Sequence, residues 1–343
     1  MQKNTVHRVL FTGRQDVFRR FKFLIKHFKN WSCWYRRFCK LLQLILVYSF
    51  FSNVSYGQTP LPSNSPIELL VLGSGGPRAE GRASSSNILL INGKAVVLVD
   101  AGSGAFVRSG ELKLNIDQLE LIFFTHFHID HSADFPALAK TRAQGRTGTI
   151  TFNVFGPKEN IGHPSANQFI AQMFGPGGIF AYQPSFGTPE KFIVTDLPFG
   201  LDTQLLVIYD QQGLKVTTIG TNHGPTPSVA YRFDYQGRSI VFSGDTNPSA
   251  QDNLIKLSKN ADLLVFNCAI LDDAGSTAQS SNRHTPPKMI GKIAHEAQVK
   301  QLVLSHIMPI VDRAKDQVIK SIGSIYSGKV LFAEDKKTYP LEP

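Results

Sequence analysis

The residues best suited to chemistry are four polar side chains within six positions, and the chemistry they suit is metal binding. The four are His126, His128, Asp130 and His131. Imidazole and carboxylate groups bind zinc at about 2 Å. An apolar run over 121–124 precedes them, so the cluster lies where a predicted strand ends. Four side chains so close in sequence can serve two metals but cannot complete both, which predicts further ligands elsewhere.

Three more polar side chains follow apolar runs later in the chain. His223 comes after the run 215–221, Asp245 after 240–242, and His306 after 302–305. Because each one ends a predicted strand, we expect all three to lie at one edge of the sheets. A metal site built from distant residues at such an edge is therefore predicted.

The elements that must position these residues are short strands with interspersed helices. Apolar β-rich runs predict strands at 67–72, 87–91, 95–99, 119–125, 150–155, 214–219, 229–235, 239–243, 262–267, 301–305 and 329–332. Helices are predicted at 135–144, 165–173, 250–257, 287–297 and 313–322. The Gly-, Pro- and Phe-rich stretch 175–189 predicts a loop near a site. This arrangement indicates an α/β layered domain.

The charge of the chain is concentrated at its N-terminus. The 343 residues have a formal net charge of +10, and residues 1–57 hold eleven of the 36 Lys and Arg but one of the 26 Asp and Glu. The rest of the chain therefore holds 25 of each sign. A domain without net charge has no global field to attract a polyanion, which predicts that nucleic acid is not its partner.

The basic segment has the form of an export signal. Its bases precede the apolar run 41–51, and residues 55–57 offer small side chains for cleavage before Gln58. We expect a leader over 1–57, a linker over 58–66 and one large domain over 67–343, with the domain periplasmic or secreted. An uncleaved leader would be a membrane anchor; a downstream start codon and an amphipathic surface helix are the alternatives.

The order of these residues resembles the metallo-β-lactamase superfamily. The pattern His-x-His-x-Asp-His, followed by His, Asp and His, extends over nearly all of 67–343, and Val99-Asp100-Ala101-Gly102 is similar to the family's supporting strand end. The resemblance implies an α/β fold, a four-layer αββα sandwich, with two metal ions at its edge. Zinc is favoured, and manganese or iron suits the same ligands. Asp100 would orient a histidine rather than bind metal.

By the family's motif, the predicted ligands divide between two metals and a bridge. The resemblance assigns one metal to His126, His128 and His223. It assigns the other metal to Asp130, His131 and His306, with Asp245 bridging the two.

Further segments are similar to the ribonuclease Z and arylsulfatase-like branch. They are the opening loop 72–77, the stretch 241–246, and Arg283-His284-Thr285 before a helix. The match at His284 implies a side chain that protonates the leaving group. Ribonuclease Z carries a long substrate-gripping arm between its third-motif His and the bridging Asp. Here His223 and Asp245 are only 22 positions apart, which leaves no room for that arm.

These departures favour relatives that lack the arm. Asn267-Cys268 also stands where that branch usually has an acidic residue. We expect a dinuclear hydrolase that cleaves a phosphodiester or sulfate-type ester of a small molecule. Two metals about 3.5–4 Å apart would lower the pKa of a water toward about 7, with Asp130 orienting the hydroxide and His284 protonating the leaving oxygen.

Two alternative functions fit the same residues. One is a ribonuclease Z-like RNA endonuclease active in tRNA 3′ processing, and the other is a non-catalytic exported metal-binding domain. In each case we expect membrane contact only through the leader. A homodimer is possible, and the sequence does not predict the oligomeric state.

Overall fold

Two seven-stranded sheets form the framework of the protein. The structure, a computed structural model, describes residues 65–341 except 79, 145, 187–188 and 273–281. The first sheet consists of β1 (Ile67–Gly73), β2 (Ser86–Ile91), β3 (Lys94–Ala101), β4 (Leu121–Phe123), β5 (Ile150–Pro157), β6 (Glu190–Leu197) and β14 (Thr338–Pro340). The second consists of β7 (Leu206–Gln211), β8 (Leu214–Gly220), β9 (Val229–Tyr235), β10 (Arg238–Phe242), β11 (Leu263–Asn267), β12 (Gln301–Ser305) and β13 (Lys329–Phe332).

Each sheet combines antiparallel and parallel strands. The strand orders are β14-β1-β2-β3-β4-β5-β6 and β13-β12-β11-β10-β9-β8-β7. Strands β3 to β6 are parallel to one another, and so are β10 to β13. Strand β8 runs parallel to β10 because both are antiparallel to β9. The carboxyl ends of β8, β10, β11 and β12 therefore share one edge of the second sheet.

Helices cover the outer faces of the two sheets. They are α1 (Ala105–Glu111), α2 (Ile129–Ser132), α3 (Phe135–Ala143), α4 (Ala166–Phe174), α5 (Gln251–Ser258), α6 (Pro287–Glu296), α7 (Pro309–Asp312) and α8 (Lys315–Gly323). Helix α4 begins with a capping box in which Ser165 and Gln168 satisfy each other's backbone N–H groups. Among the described residues, no helix has the length and apolar character needed to cross a membrane.

The core divides into three layers because strand side chains alternate between the two faces of a sheet. On β1, Leu69 and Val71 join the core between the sheets, whereas Leu70 and Leu72 join the core beneath helices α1, α3 and α4. A third core lies between the second sheet and helices α5, α6 and α8. The predicted four-layer αββα sandwich is confirmed.

The end of the described chain returns to its beginning. Strand β14 pairs with β1, and the Asp335 carboxylate accepts hydrogen bonds from the backbone N–H groups of Ser74 and Ala83 at 3.0 and 2.8 Å. These contacts fix the loop that follows β1. Gly75 in this loop forms a bridge with Ile307, next to the predicted ligand His306.

All eleven predicted strands are present, but three strands and three helices were not predicted. Strands β6 and β7 are edge strands whose residues are mostly exposed or half-buried, and the apolar runs 192–194 and 206–209 that they contain were not predicted to be strands. Strand β14 and helices α2 and α7 have three or four residues, too few to show a period. The predicted loop over 175–189 contains a 3₁₀ turn at Gln183–Phe186. The leader and residues 58–64 of the linker lie outside the described residues.

A large-to-small substitution tests the packing between the sheets. Phe123 is fully buried, stacks on Phe155 with ring centroids 4.7 Å apart, and meets the edges of Tyr231 and Phe233 at 5.2 and 5.0 Å. We expect Phe123→Ala to lower the free energy of unfolding by about 3–5 kcal/mol in urea titrations. The control Phe106→Ala, at a side chain 41% exposed, should change it by less than about 1 kcal/mol.

Candidate metal centre

The predicted ligands meet at the carboxyl ends of strands from both sheets. Side chains from one stretch after β4 and from the loops after β8, β10 and β12 converge there, and nearly all of them are buried. Within the described chain they form two groups. In each group, the atoms that could bind a metal lie within 4.8 Å of one another. The first group is His126, His128, His223 and Asp245, and the second is Asp130, His131 and His306. These are the two sets that the sequence motif predicts, and their binding of metal stays a prediction.

In the first group, hydrogen bonds turn each imidazole so that one nitrogen faces the centre. His223 Nδ1–H donates to the carbonyl of Arg283 at 2.7 Å, which directs Nε2 inward. His128 Nδ1 lies 3.0 Å from His126 Nε2 and 3.4 Å from His223 Nε2. Donors of a tetrahedral zinc at about 2.0–2.1 Å are themselves about 3.3 Å apart, so this spacing fits a shared cation.

Burial keeps the imidazoles of the first group neutral. It lowers the pKa of His126 well below its usual range, and it lowers the pKa of His128 to about 4. Burial also lowers the pKa of His223, although the Asp245 carboxylate opposes that effect. A neutral imidazole is the form that binds metal, so these three side chains need not lose a proton first.

In the second group, a hydrogen bond from His306 helps to keep Asp130 ionised. His306 Nε2 lies 3.1 Å from Asp130 Oδ2, and His131 Nε2 lies 3.7 Å from the same oxygen. Burial would raise the pKa of Asp130, but the contact with His306 and the charge of His131 lower it to about 2. The carboxylate is therefore available as an anionic ligand at neutral pH.

Asp245 lies between the two groups. Its Oδ2 is 3.4–3.9 Å from the Nε2 atoms of His126, His131, His223 and His306. Burial would raise the pKa of Asp245, but the surrounding histidines lower it well below its usual range. One oxygen thus faces both groups, which is the position that a bridging ligand requires.

The surroundings of His131 fit a metal cation. Its Nδ1–H donates to Asp100 Oδ2 at 2.8 Å, and its buried Nε2 has no hydrogen-bond partner among the described residues. Burial lowers the pKa of His131, but the carboxylates of Asp100, Asp245 and Asp130 outweigh that effect and raise it to about 9. A cation beside Nε2 would balance this negative charge and satisfy a nitrogen that is otherwise costly to bury. The predicted orienting role of Asp100 agrees with this contact.

Two close backbone approaches hold the second group in place. A Cβ on Gly102 would lie 2.1 Å from the carbonyl oxygen of Asp130, and one on Gly76 would lie 2.6 Å from the His306 ring. Both positions therefore exclude any other residue without movement of a ligand. His306 itself has a φ of +54°, a conformation that side chains adopt at a cost and that functional sites often retain.

His284 lies beside the centre without belonging to either group. Its Nδ1 is 3.9 Å from Asp245 Oδ2, and its ring centroid is 5.2 Å from that of His223. Burial lowers the pKa of His284 to about 4. It shares a cavity of about 190 Å³ with Asp130, Asp245, Arg283 and Met308.

Two supporting contacts were not predicted from the sequence. Thr226 Oγ1 lies 3.0 Å from His128 Nε2 and 3.2 Å from His163 Nε2, so it connects a predicted ligand to a histidine outside both donor groups. Asn267 Nδ2 donates to Asp245 Oδ1 at 2.7 Å. Thr226 lies three residues after His223 and carries no motif, and the contacts of Thr226 and Asn267 both join distant parts of the chain.

Comparison with known proteins identifies the family. The family described as "Beta-lactamase superfamily domain" matches residues 96–307, which include all seven predicted ligands. The chain belongs to this family. The fold agrees, since the metallo-beta-lactamase fold protein YhfI from Bacillus subtilis superposes with a TM-score of 0.59 at 25% identity, covering 80% of this chain and 99% of that one.

Relatives within the family carry the name Ribonuclease Z. That of Mycobacterium avium (strain 104) is 26% identical over 281 residues, which cover 78% of this chain and 96% of the relative. That of Mycobacterium sp. (strain KMS) is 28% identical over 254 residues, which cover 71% and 85%. Human tRNase Z, short form, shares the fold with a TM-score of 0.62 at 21% identity, covering 80% of this chain and all of that one. The resemblance to the ribonuclease Z branch is confirmed.

These relatives overturn one prediction and weaken another. The prediction that nucleic acid is not a partner is wrong, because the matched relatives are named as ribonucleases. Its error lay in using the net charge of a whole domain, whereas phosphate binding depends on the local field at a site. The relatives also favour the RNA endonuclease alternative over hydrolysis of a small sulfate-type ester.

Zinc binding should stabilise the folded protein. A ligand that binds only the native state adds about 2.7 kcal/mol at a hundredfold excess over its Kd, or about 5 °C in Tm for a domain of this size. We expect zinc to raise the Tm of chelator-treated protein by at least this amount in thermal shift assays. Asp245→Ala should reduce the rise, and exposed Asp210→Ala should keep it. An equal rise in all three proteins would contradict the site.

Proposed function

We propose that the chain is a metal-dependent RNA endonuclease that hydrolyses a phosphodiester bond, in the manner of ribonuclease Z. The observation that carries this proposal is the convergence of two donor groups on one oxygen of Asp245. Two adjacent metal sites are typical of enzymes that transfer or hydrolyse phosphoryl groups. The sequence relatives named Ribonuclease Z support RNA as the substrate class.

The size of the cavity supports a polymer backbone as substrate. Pockets that enclose a drug-sized ligand have volumes of about 300–1,000 Å³. The cavity beside the two donor groups has about 190 Å³. It is large enough for one phosphodiester group with the neighbouring sugars outside the cavity.

Bound metal ions would supply Lewis-acid stabilisation of the phosphoryl charge and lower the pKa of a water toward about 7. Asp130 borders the cavity and, as a carboxylate, orients the attacking water by accepting a hydrogen bond from it. His284, on the same cavity, donates a proton to the leaving oxygen as the bond to phosphorus breaks. Burial lowers the pKa of His284 to about 4, and the negative charge of a bound phosphodiester would oppose this effect and favour the protonated form that this step needs.

Arg283 supplies a positive charge for the substrate. Its side chain borders the cavity and is half-buried, and none of the described residues forms an ion pair with it. Its carbonyl accepts the hydrogen bond from His223, so the backbone from which the guanidinium extends lies beside the metal ligands. Guanidinium groups bind phosphate oxygens through two parallel hydrogen bonds. One cation at the site can bind an RNA phosphate even though the domain as a whole carries no net positive charge.

Substitution of Asp130 tests the catalytic proposal. We expect the zinc-loaded protein to cleave a precursor tRNA in a gel assay, and Asp130→Ala to lower kcat at least about a hundredfold because a ligand and the orienting carboxylate are both lost. The control Asp117→Ala, at an exposed residue before β4, should keep full activity. p-Nitrophenyl sulfate is assayed in parallel. Cleavage of the sulfate ester without cleavage of RNA would refute the proposal.

Removal of the guanidinium should weaken substrate binding more than chemistry. We expect Arg283→Ala to raise KM for RNA about tenfold, because one charge-assisted hydrogen bond at a half-buried position is lost. The change in kcat should be smaller. Exposed Lys215→Ala, at the start of β8 and far from the centre, is the matched control. A KM that stays within twofold of the parent would show that Arg283 does not contact the phosphate.

A further inference from the structure

Asn267 occupies an unusual place in the centre. It is the last residue of β11, between the strands that lead to Asp245 and His306. Its backbone N–H donates to Ser243 Oγ at 3.1 Å, and its side-chain Nδ2 donates to Asp245 Oδ1 at 2.7 Å. Asn267 and Asp245 are both buried, so water does not compete freely for this contact.

This hydrogen bond gives the two oxygens of Asp245 different roles. Oδ1 is held by the Asn267 amide, whereas Oδ2 lies 3.4–3.9 Å from four imidazole nitrogens. Without the amide donor, the carboxylate could rotate about its Cβ–Cγ bond, and either oxygen could turn toward one group alone. With the donor in place, a single oxygen faces both groups.

The amide also suits this position electrostatically. The centre already contains the carboxylates of Asp100, Asp130 and Asp245, and all three are buried. A further carboxylate 2.7 Å from Asp245 Oδ1 would repel it unless one of the two held a proton. The amide donates a hydrogen bond without adding charge or titrating, so the orientation of Asp245 does not depend on a shared proton.

We propose that Asn267 is a positioning residue that fixes Asp245 so that one of its oxygens serves both halves of the metal centre. The inference rests on the proposed function, since it requires that the centre binds metal. Residues that hydrogen-bond to metal ligands typically contribute a factor of about 10–100 to metal affinity. Asn267 would act in this way through Asp245, without touching metal or substrate.

The test measures zinc affinity and stoichiometry in competition with a chromophoric chelator. We expect Asn267→Ala and Asn267→Leu to weaken binding of at least one zinc about 10–100-fold. The matched control is Asn253→Ala, because Asn253 is also a buried amide and donates to the carbonyls of Gly220 and Leu201. It should lose stability in the metal-free state but bind zinc within about threefold of the parent.

The outcomes separate this inference from the proposed function. Circular dichroism of the metal-free proteins first shows which variants fold, and either Asn267 variant suffices. If the parent binds no zinc, the metal centre itself is contradicted. If the parent binds zinc and a folded Asn267 variant matches its affinity and stoichiometry, or if Asn253→Ala weakens binding equally, the positioning role is overturned.

Discussion

The arrangement depends on one buried carboxylate. Asp245 places a negative oxygen among four inward-facing imidazole nitrogens. Three of these rings, His126, His131 and His223, are held by a hydrogen bond at their other nitrogen. Burying such a charge is unfavourable unless opposite charge or hydrogen bonds compensate for it. The fold meets this requirement by bringing the ends of strands from two sheets to one edge. The ligands, their supports and the cavity are consequences of that convergence.

Supporting contacts orient several of the predicted ligands. The Asp100 carboxylate accepts hydrogen bonds from the backbone N–H and the hydroxyl of Thr125, and from the His131 ring. The same hydroxyl lies 3.1 Å from His126 Nδ1, so one carboxylate orients ligands in both groups. Thr226 orients His128 in a similar way, because its Oγ1 lies 3.0 Å from His128 Nε2. Imidazoles held at one nitrogen present the other in a fixed direction.

The sequence was informative wherever a local pattern carried the structure. Buried strands such as β10 and β12 are continuous apolar runs, and a polar residue just after each run identified Asp245 and His306. Edge strands β6 and β7 were not predicted, although each contains an apolar run, and most of their residues are exposed or half-buried. Asn267, Thr226 and Arg283 could not be recognised as partners of ligands, because each relevant contact joins residues that are distant in sequence. The prediction that nucleic acid is not a partner failed because it used the net charge of a whole domain, which does not report the local field at one site.

The return of the chain end to β1 has a consequence for how the centre matures. Loop 74–76 is anchored by Asp335 and borders His306 through Gly76, while β14 completes the first sheet. A growing polypeptide therefore lacks both the final ligand and the anchor of its neighbouring loop until almost the whole domain has been synthesised. The donor group of Asp130, His131 and His306 is therefore completed later than the group that ends at Asp245, and any ion that it binds would be acquired late in synthesis.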